Sequence, residues 1–183
     1  METAPGRGFE LMRLMHALKP HISVERAFFG AGAIGALPGV LRDLGVAKAL
    51  IVTDRGVAAS GIAERVRILI EGAPVAAAVF DATDPEPGAE VPDGIAARYR
   101  NEQIGCVVGL GGGSCLDTAK AVGIMLAHGG TLREYLGPDK IYRPGLPVVL
   151  VPTTSGTGSE ATPNALFIVD GEKQAVLSRH IMP

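Results

Sequence analysis

Four short apolar runs rich in Val and Ile, at residues 49–53, 75–80, 106–110 and 148–151, alternate along the chain with segments whose apolar residues recur at helical spacing. No other feature limits the fold so tightly. A strand with one wet face alternates apolar and polar residues. A continuous apolar run needs cover on both faces, which is the situation of a parallel sheet under helices. The helix-period segments at 34–44, 61–70, 91–101 and 116–128 supply that cover. Strands alternating with helices predict βαβ units and a doubly wound, mostly parallel α/β layer.

Proline and glycine punctuate this pattern. Residues 81–92 hold Pro85, Pro87 and Pro92 and read as a loop running into a helix start, and 135–147 hold Pro138, Pro144 and Pro147 and read as a long connection. After residue 151 a stretch of Thr, Ser and Gly leads to apolar runs at 165–169 and 175–177, a predicted C-terminal β-hairpin with its turn at 170–173. The sequence stops soon after that hairpin, which suggests one half of a larger design.

Composition narrows the function classes. An apolar fraction of 47% with only 4% aromatic residues puts Ala, Val, Ile, Leu and Gly in the interior of a globular domain. The net charge of -2 leaves no electrostatic footprint for nucleic acid or an anionic membrane. No run approaches the roughly 18 apolar residues of a membrane span. The segment 9–18 is interrupted by Glu10, Arg13 and His16, so it reads as an amphipathic helix or extension rather than a secretion signal, and the expected location is cytoplasmic. The two cysteines fit neither a metal spacing nor a disulfide framework. Cys106 lies in an apolar run and reads as core, whereas Cys115 sits in a glycine-rich stretch and its reactivity is left open.

That stretch, Gly109-Leu110-Gly111-Gly112-Gly113-Ser114-Cys115-Leu116-Asp117, falls where a strand passes into a helix. Glycines there let backbone N–H groups approach a phosphate, and the positive end of the following helix points at the same spot. It is neither the GxGxxG fingerprint nor a P-loop. A plainer reading, a turn capped by Ser114 with Asp117 completing a capping box, is compatible with phosphate binding. The stretch Pro152-Thr153-Thr154-Ser155-Gly156-Thr157-Gly158-Ser159-Glu160 follows another apolar strand and offers hydroxyls and glycine N–H groups suited to a pyrophosphate or ribose. Its plainer reading is a turn capped by Thr157 and Glu160.

Together these two motifs resemble the paired signature of the iron-containing (group III) alcohol dehydrogenases, and the upstream Phe29-Gly30-Ala31-Gly32-Ala33 and Leu50-Ile51-Val52-Thr53-Asp54 are similar to that family as well. The resemblance runs from about Phe28 to the C-terminus. It implies an N-terminal extension and first strand over 1–27, and over 28–183 a Rossmann-like α/β domain binding NAD(H), like the N-terminal domain of dehydroquinate synthase. The family's helical domain, which holds Fe2+ or another divalent metal through an Asp and three His, lies outside this sequence. The four histidines here, His16, His21, His128 and His180, lack a ligand spacing and read as surface or cap residues. No catalytic or metal-ligating residue is therefore assigned.

Carried over by position, the resemblance implies that Asp54 hydrogen-bonds the adenosine ribose and disfavours a 2′-phosphate, so that NAD is preferred over NADP. An acid at a strand end also fits the general ribose-binding logic of dinucleotide folds. Gly112, Gly113 and Ser114 would contact the pyrophosphate. Asp117 would lie near the nicotinamide, Thr153, Thr154 and Thr157 would line the cofactor, and Asn164 would approach it from the hairpin. Two positions depart from the family. Glu86 stands where a Pro-Asn-Pro loop is common, and Val176 stands at the place of a cofactor-contacting Lys. Lys173 could substitute or could be a turn lysine in solvent.

The expectation is an NAD(H)-binding domain of an enzyme that exchanges hydride between a small alcohol or aldehyde and the cofactor, inactive by itself. An edge strand or the hairpin is free to pair into a homo-oligomer. Rival readings are a glycerol dehydrogenase, maleylacetate reductase or dehydroquinate synthase relative, or a non-catalytic nucleotide-binding or assembly module.

Overall fold

The computed structural model describes residues 24–183. The amphipathic segment at 9–18, His16 and His21 lie outside the described residues, as does nearly all of the predicted 1–27 extension; its last residues, 24–27, carry no strand. In chain order the elements are α1 (Leu37–Asp43), β1 (Lys48–Val52), α2 (Arg55–Ala59), α3 (Ile62–Glu71), β2 (Ala76–Phe80), α4 (Glu90–Tyr99), β3 (Cys106–Gly111), α5 (Gly113–His128), α6 (Leu132–Tyr135), β4 (Gly137–Pro138), β5 (Val148–Pro152), β6 (Asn164–Val169) and β7 (Glu172–Leu177).

The four apolar runs form one parallel sheet in the order β2-β1-β3-β5. Every residue of β3 is buried, so neither face of that strand meets water. On β1 the side chains divide between two layers. Ala49 and Ile51 pack with Leu37 and Leu41 of α1 and with Val66 and Ile70 of α3. Leu50 and Val52 pack on the other side with Ile95 and Tyr99 of α4 and with Ala119 and Val122 of α5. Helices therefore cover both faces, as the sequence predicts. The strand order reverses beside β1, with β2 on one side and β3 and β5 on the other, and ligands in open α/β sheets collect outside the strand ends at such a switch point.

A second sheet, ordered β4-β7-β6, packs on the opposite side of α5. Its antiparallel pair β6–β7 is the predicted hairpin, but the turn is tighter than 170–173. Asp170 and Gly171 alone make it, both with positive φ (55° and 79°), and Glu172 and Lys173 already belong to the ladder. An Asp-Gly pair is the chemistry that a type I′ turn requires. Arg133 of α6 grips Asp170 with two bonds of 2.7 Å. Just before the connection at 135–147, α6 forms, and within the connection β4 pairs parallel with β7. A strand of two residues containing proline leaves no periodicity for a sequence to show.

Held between the two sheets, α5 is buried continuously from Cys115 to Met125. Its closeness to the parallel sheet depends on glycine. A Cβ at Gly109 would fall 2.7 Å from Leu150 Cδ2 and 2.8 Å from the Ala119 methyl. Replacing Gly109 by Ala should therefore cost about 1–3 kcal/mol through overpacking. Urea unfolding of G109A measures this, and an unchanged midpoint would refute the close-packing account.

Candidate functional site

Three loops meet at the C-terminal rim of the parallel sheet. They follow β1 at Thr53 and Asp54, β3 at 111–114, and β5 at 153–160. The Thr153 N–H donates to the Gly111 carbonyl at 2.9 Å, which joins the second loop to the third. At Gly111 φ is +149°, and a Cβ there would stand 2.6 Å from Cys115 Sγ. Only glycine lets β3 turn so sharply into α5.

The predicted cap is not what forms. Gly112 in extended conformation is the N-cap of α5, with no side-chain cap bond, and Ser114 already lies in the first turn. Ser114 Oγ instead accepts the Glu86 N–H at 3.2 Å, and Asp117 Oδ2 accepts the Leu166 N–H of β6 at 3.0 Å. The first-turn N–H groups of a 16-residue helix are thus left without a side-chain acceptor, at its electropositive end. The space in front of them is narrow. A Cβ on Gly112 would lie 3.4 Å from Thr154 Oγ1, and one on Gly113 would lie 3.5 Å from Ser159 Oγ. Side chains at these two positions would project into that gap.

A cleft of about 260 Å³ opens there, lined by Gly113, Ser114, Asp117, Thr157, Glu86 and Lys173, with residues 166–168 of β6 as a further wall. Thr153, Thr154 and Thr157 are exposed on the loop beside it. The hydroxyl loop shows half of its predicted cap: Thr157 Oγ1 reaches Glu160 at 3.4 Å and accepts the Ser159 N–H at 3.4 Å. Glu86 adopts φ +48°, the left-handed region, and its carboxylate stands 3.6 Å from Lys173 Nζ. Val176, by contrast, is 1% exposed and packs in the core with Ala165 and Phe167, away from the cleft. Lys173 is therefore the cation that the hairpin offers to the cleft.

Asp54 sits at the end of β1 and caps α2, accepting the Val57 N–H on Oδ1 at 2.9 Å. Its Oδ2 accepts the Cys115 thiol at 3.3 Å. Burial and the adjacent Asp54 carboxylate push the Cys115 thiol up to about 12. Burial alone pushes Cys106 up to about 12. Cys106 is core, as the sequence indicates, and the open question about Cys115 resolves toward an unreactive thiol that serves as a hydrogen-bond donor.

Lys120 closes the glycine-rich family motif that begins at Gly111, but the sequence reading gave it no role. It is fully buried, and its Nζ lies 2.7 Å from the Asn164 carbonyl, 3.0 Å from that of Thr162 and 3.5 Å from Asp117 Oδ1. Burial lowers its pKa, while Asp117 beside it acts in the opposite direction. A cation within an otherwise apolar and small helix segment, Ala119-Lys120-Ala121-Val122, was the available signal. Asn164, predicted at the cofactor, does not line the cleft; it stands at the head of β6 with its carbonyl held by Lys120. His128, the last residue of α5, turns Nε2 toward the carbonyls of Arg143 and Pro144 at 3.2 and 3.0 Å in the connection that follows. Among the described residues no group of three or more His, Cys, Asp or Glu could hold a metal ion, and no helix is long and apolar enough to cross a membrane.

Fold and rim together define a doubly wound α/β domain with a cleft in front of the N-terminus of α5. The model of the iron-containing alcohol dehydrogenases matches residues 25–183, and the chain belongs to that family. It is 38% identical over 157 residues to 4-hydroxybutyrate dehydrogenase of Cupriavidus necator, which covers 83% of this chain and 41% of that protein. It is 36% identical to the NAD-dependent methanol dehydrogenase of Bacillus methanolicus, over 84% of this chain and 41% of the relative. The solved structure of a 1,3-propanediol oxidoreductase superposes with a TM-score of 0.84 at 32% identity, over 88% of this chain and 43% of the other. The chain thus spans about two-fifths of the length of the curated relatives it matches.

The thiol environments give a direct check. With both pKa values near 12, the thiolate fraction at pH 8 is about one part in ten thousand. Iodoacetamide at pH 8 should leave both cysteines of the folded chain unmodified over a period in which the urea-unfolded chain is fully alkylated. Mass spectrometry reads the outcome, and rapid labelling of native Cys115 would contradict this geometry.

Proposed function

We propose that residues 28–183 bind NAD(H) along this rim and form the nucleotide-binding part of a metal-dependent alcohol dehydrogenase acting on a small alcohol or aldehyde. The observation that carries the reading is the uncapped N-terminus of α5, facing a cleft bordered by Gly113, Ser114, Thr157 and Ser159. The name of the Bacillus methanolicus relative, an NAD-dependent dehydrogenase, supports the choice of cofactor.

In this reading the backbone N–H groups of Gly112, Gly113 and Ser114 donate to the diphosphate, and the hydroxyls of Thr153, Thr154 and Thr157 complete its surround. Asp54 orients the adenosine ribose. Each of its oxygens already accepts one bond, from Val57 or Cys115, and a carboxylate oxygen has a further lone pair for a ribose hydroxyl. Lys173 adds a cation from the hairpin, Asp117 borders the cleft toward the nicotinamide, and Asn164 supports the same side from the head of β6. The bound nicotinamide supplies hydride transfer. The chain's own groups bind the cofactor, orient it and narrow its access to water.

Iron does not fit the described residues, because among them no donor set assembles. Dehydrogenase turnover is not expected of residues 24–183 alone. The reading includes a cytoplasmic location and leaves an edge strand of the sheet or the β6–β7 hairpin free to pair between copies.

NADH fluorescence should rise on addition of the purified chain, with NADH bound about tenfold or more tightly than NADPH because Asp54 repels a 2′-phosphate. Asp54→Asn should narrow that gap. Absence of any enhancement, equal affinity for the two cofactors, or steady alcohol oxidation by this chain with added Fe2+ would each count against the reading.

A further inference from the structure

Lys120 and Asp117 are the charged residues that the fold buries among the described residues. Taking an ammonium out of water costs several kcal/mol, so it persists inside only where its donors are matched. Here three N–H donors meet three acceptors: the carbonyls of Asn164 and Thr162, and Asp117 Oδ1. Neither carbonyl belongs to α5. Both lie on the segment that leads from the hydroxyl loop into β6. Asp117 reaches the same segment through its other oxygen, which takes the Leu166 N–H. One buried pair therefore fastens residues 162–166 to the helix whose N-terminus opens on the cleft, and Asp117 is itself part of the cleft wall.

A helix lying between two sheets gains its packing from apolar residues, and well-packed apolar replacements of buried ion pairs are often no less stable. What an apolar residue at 120 could not do is fix the position of two carbonyls. We propose that Lys120 is a positioning residue of the nucleotide cleft, whose ammonium ties the Thr162 and Asn164 carbonyls and the Asp117 carboxylate into one unit and so sets the hydroxyl loop and β6 at the distance from α5 that the dinucleotide requires. This deepens the functional reading above and rests on it. Lys120 touches no ligand in this scheme and acts through its three partners.

The test compares Lys120→Met with Val122→Ala, a truncation one turn-face away that loosens the packing of α5 on the parallel sheet and leaves the Lys120 contacts in place. Each is scored by NADH affinity and by hydrogen exchange of the Leu166 amide in the nucleotide-free chain. K120M should weaken NADH binding about tenfold or more and speed Leu166 exchange by a similar factor, the effect expected for losing hydrogen bonds to a charged group. V122A should leave both within about twofold once its lower global stability is allowed for. NADH affinity of K120M within about twofold of wild type, or equal losses in V122A, overturns the proposal. Should K120M fail to fold, Lys120→Gln, which retains two donors, takes its place under the same criteria. If the wild-type chain binds no NADH, the functional reading falls, and the exchange arm still judges the tie: unchanged Leu166 exchange refutes it.

Discussion

The missing Cβ atoms at Gly109 and Gly111 let α5 settle directly on β3 and β5, and the rest of the structure follows from that approach. Side chains at these positions would meet Leu150 and Ala119 at 2.7 and 2.8 Å and Cys115 Sγ at 2.6 Å. With the helix drawn in, its first turn reaches the sheet rim, where its N–H groups can face a ligand. Its far side is then near enough for the second sheet to cover, with Ala165, Phe167, Val169 and Val176 against Ala121, Ile124 and Met125. A helix covered on both sides has no wet face left. That is why the lysine within it must find backbone carbonyls instead of solvent.

The layered fold was legible because burial on two faces leaves a continuous apolar run, a pattern that needs no knowledge of partners. Predicted 106–110 became Cys106–Gly111 and predicted 148–151 became Val148–Pro152, differences at the edges alone. The hairpin was legible for a similar reason, since Asp170 and Gly171 tolerate the positive φ of a tight turn. The roles of individual polar groups were less so. Ser114 and Asp117 have the spacing of a capping box, yet one receives an N–H from residue 86 and the other from residue 166. Local spacing reports what a side chain could do nearby, and both side chains were claimed by distant backbone. Lys120 was hidden by the same non-local pairing, as the two carbonyls it holds lie more than forty residues onward.

The two departures from the family pattern prove to be of different kinds. Val176 is removed from the cleft altogether, because β7 turns that residue into the core, and no small movement would bring a side chain there to a ligand. Glu86 remains at the cleft, and its left-handed φ of 48° is a conformation that Asn tolerates better than Glu. The loop keeps the backbone shape that the asparagine of the usual Pro-Asn-Pro would favour and exchanges a neutral amide for a charge. That charge stands 3.6 Å from Lys173, so the departure is offset by a cation on the opposite wall.

This arrangement constrains how an anion can be held. Lys173 is the one cation among the cleft-lining residues, it is shared with Glu86, and Asp117 adds a further negative charge to the wall. Side-chain charge therefore contributes little net attraction for a diphosphate, and both partners of the Lys173 pair are largely exposed, where ion pairs are weak and screened by salt. In the proposed reading the attraction comes from the N–H dipoles at the start of α5, which packing on both sides of that helix holds in place. In that reading the diphosphate is held by geometry more than by side-chain charge. The quality of the site depends on how exactly the hydroxyl loop and β6 stand relative to that helix end, and the buried Lys120–Asp117 pair lies directly between them.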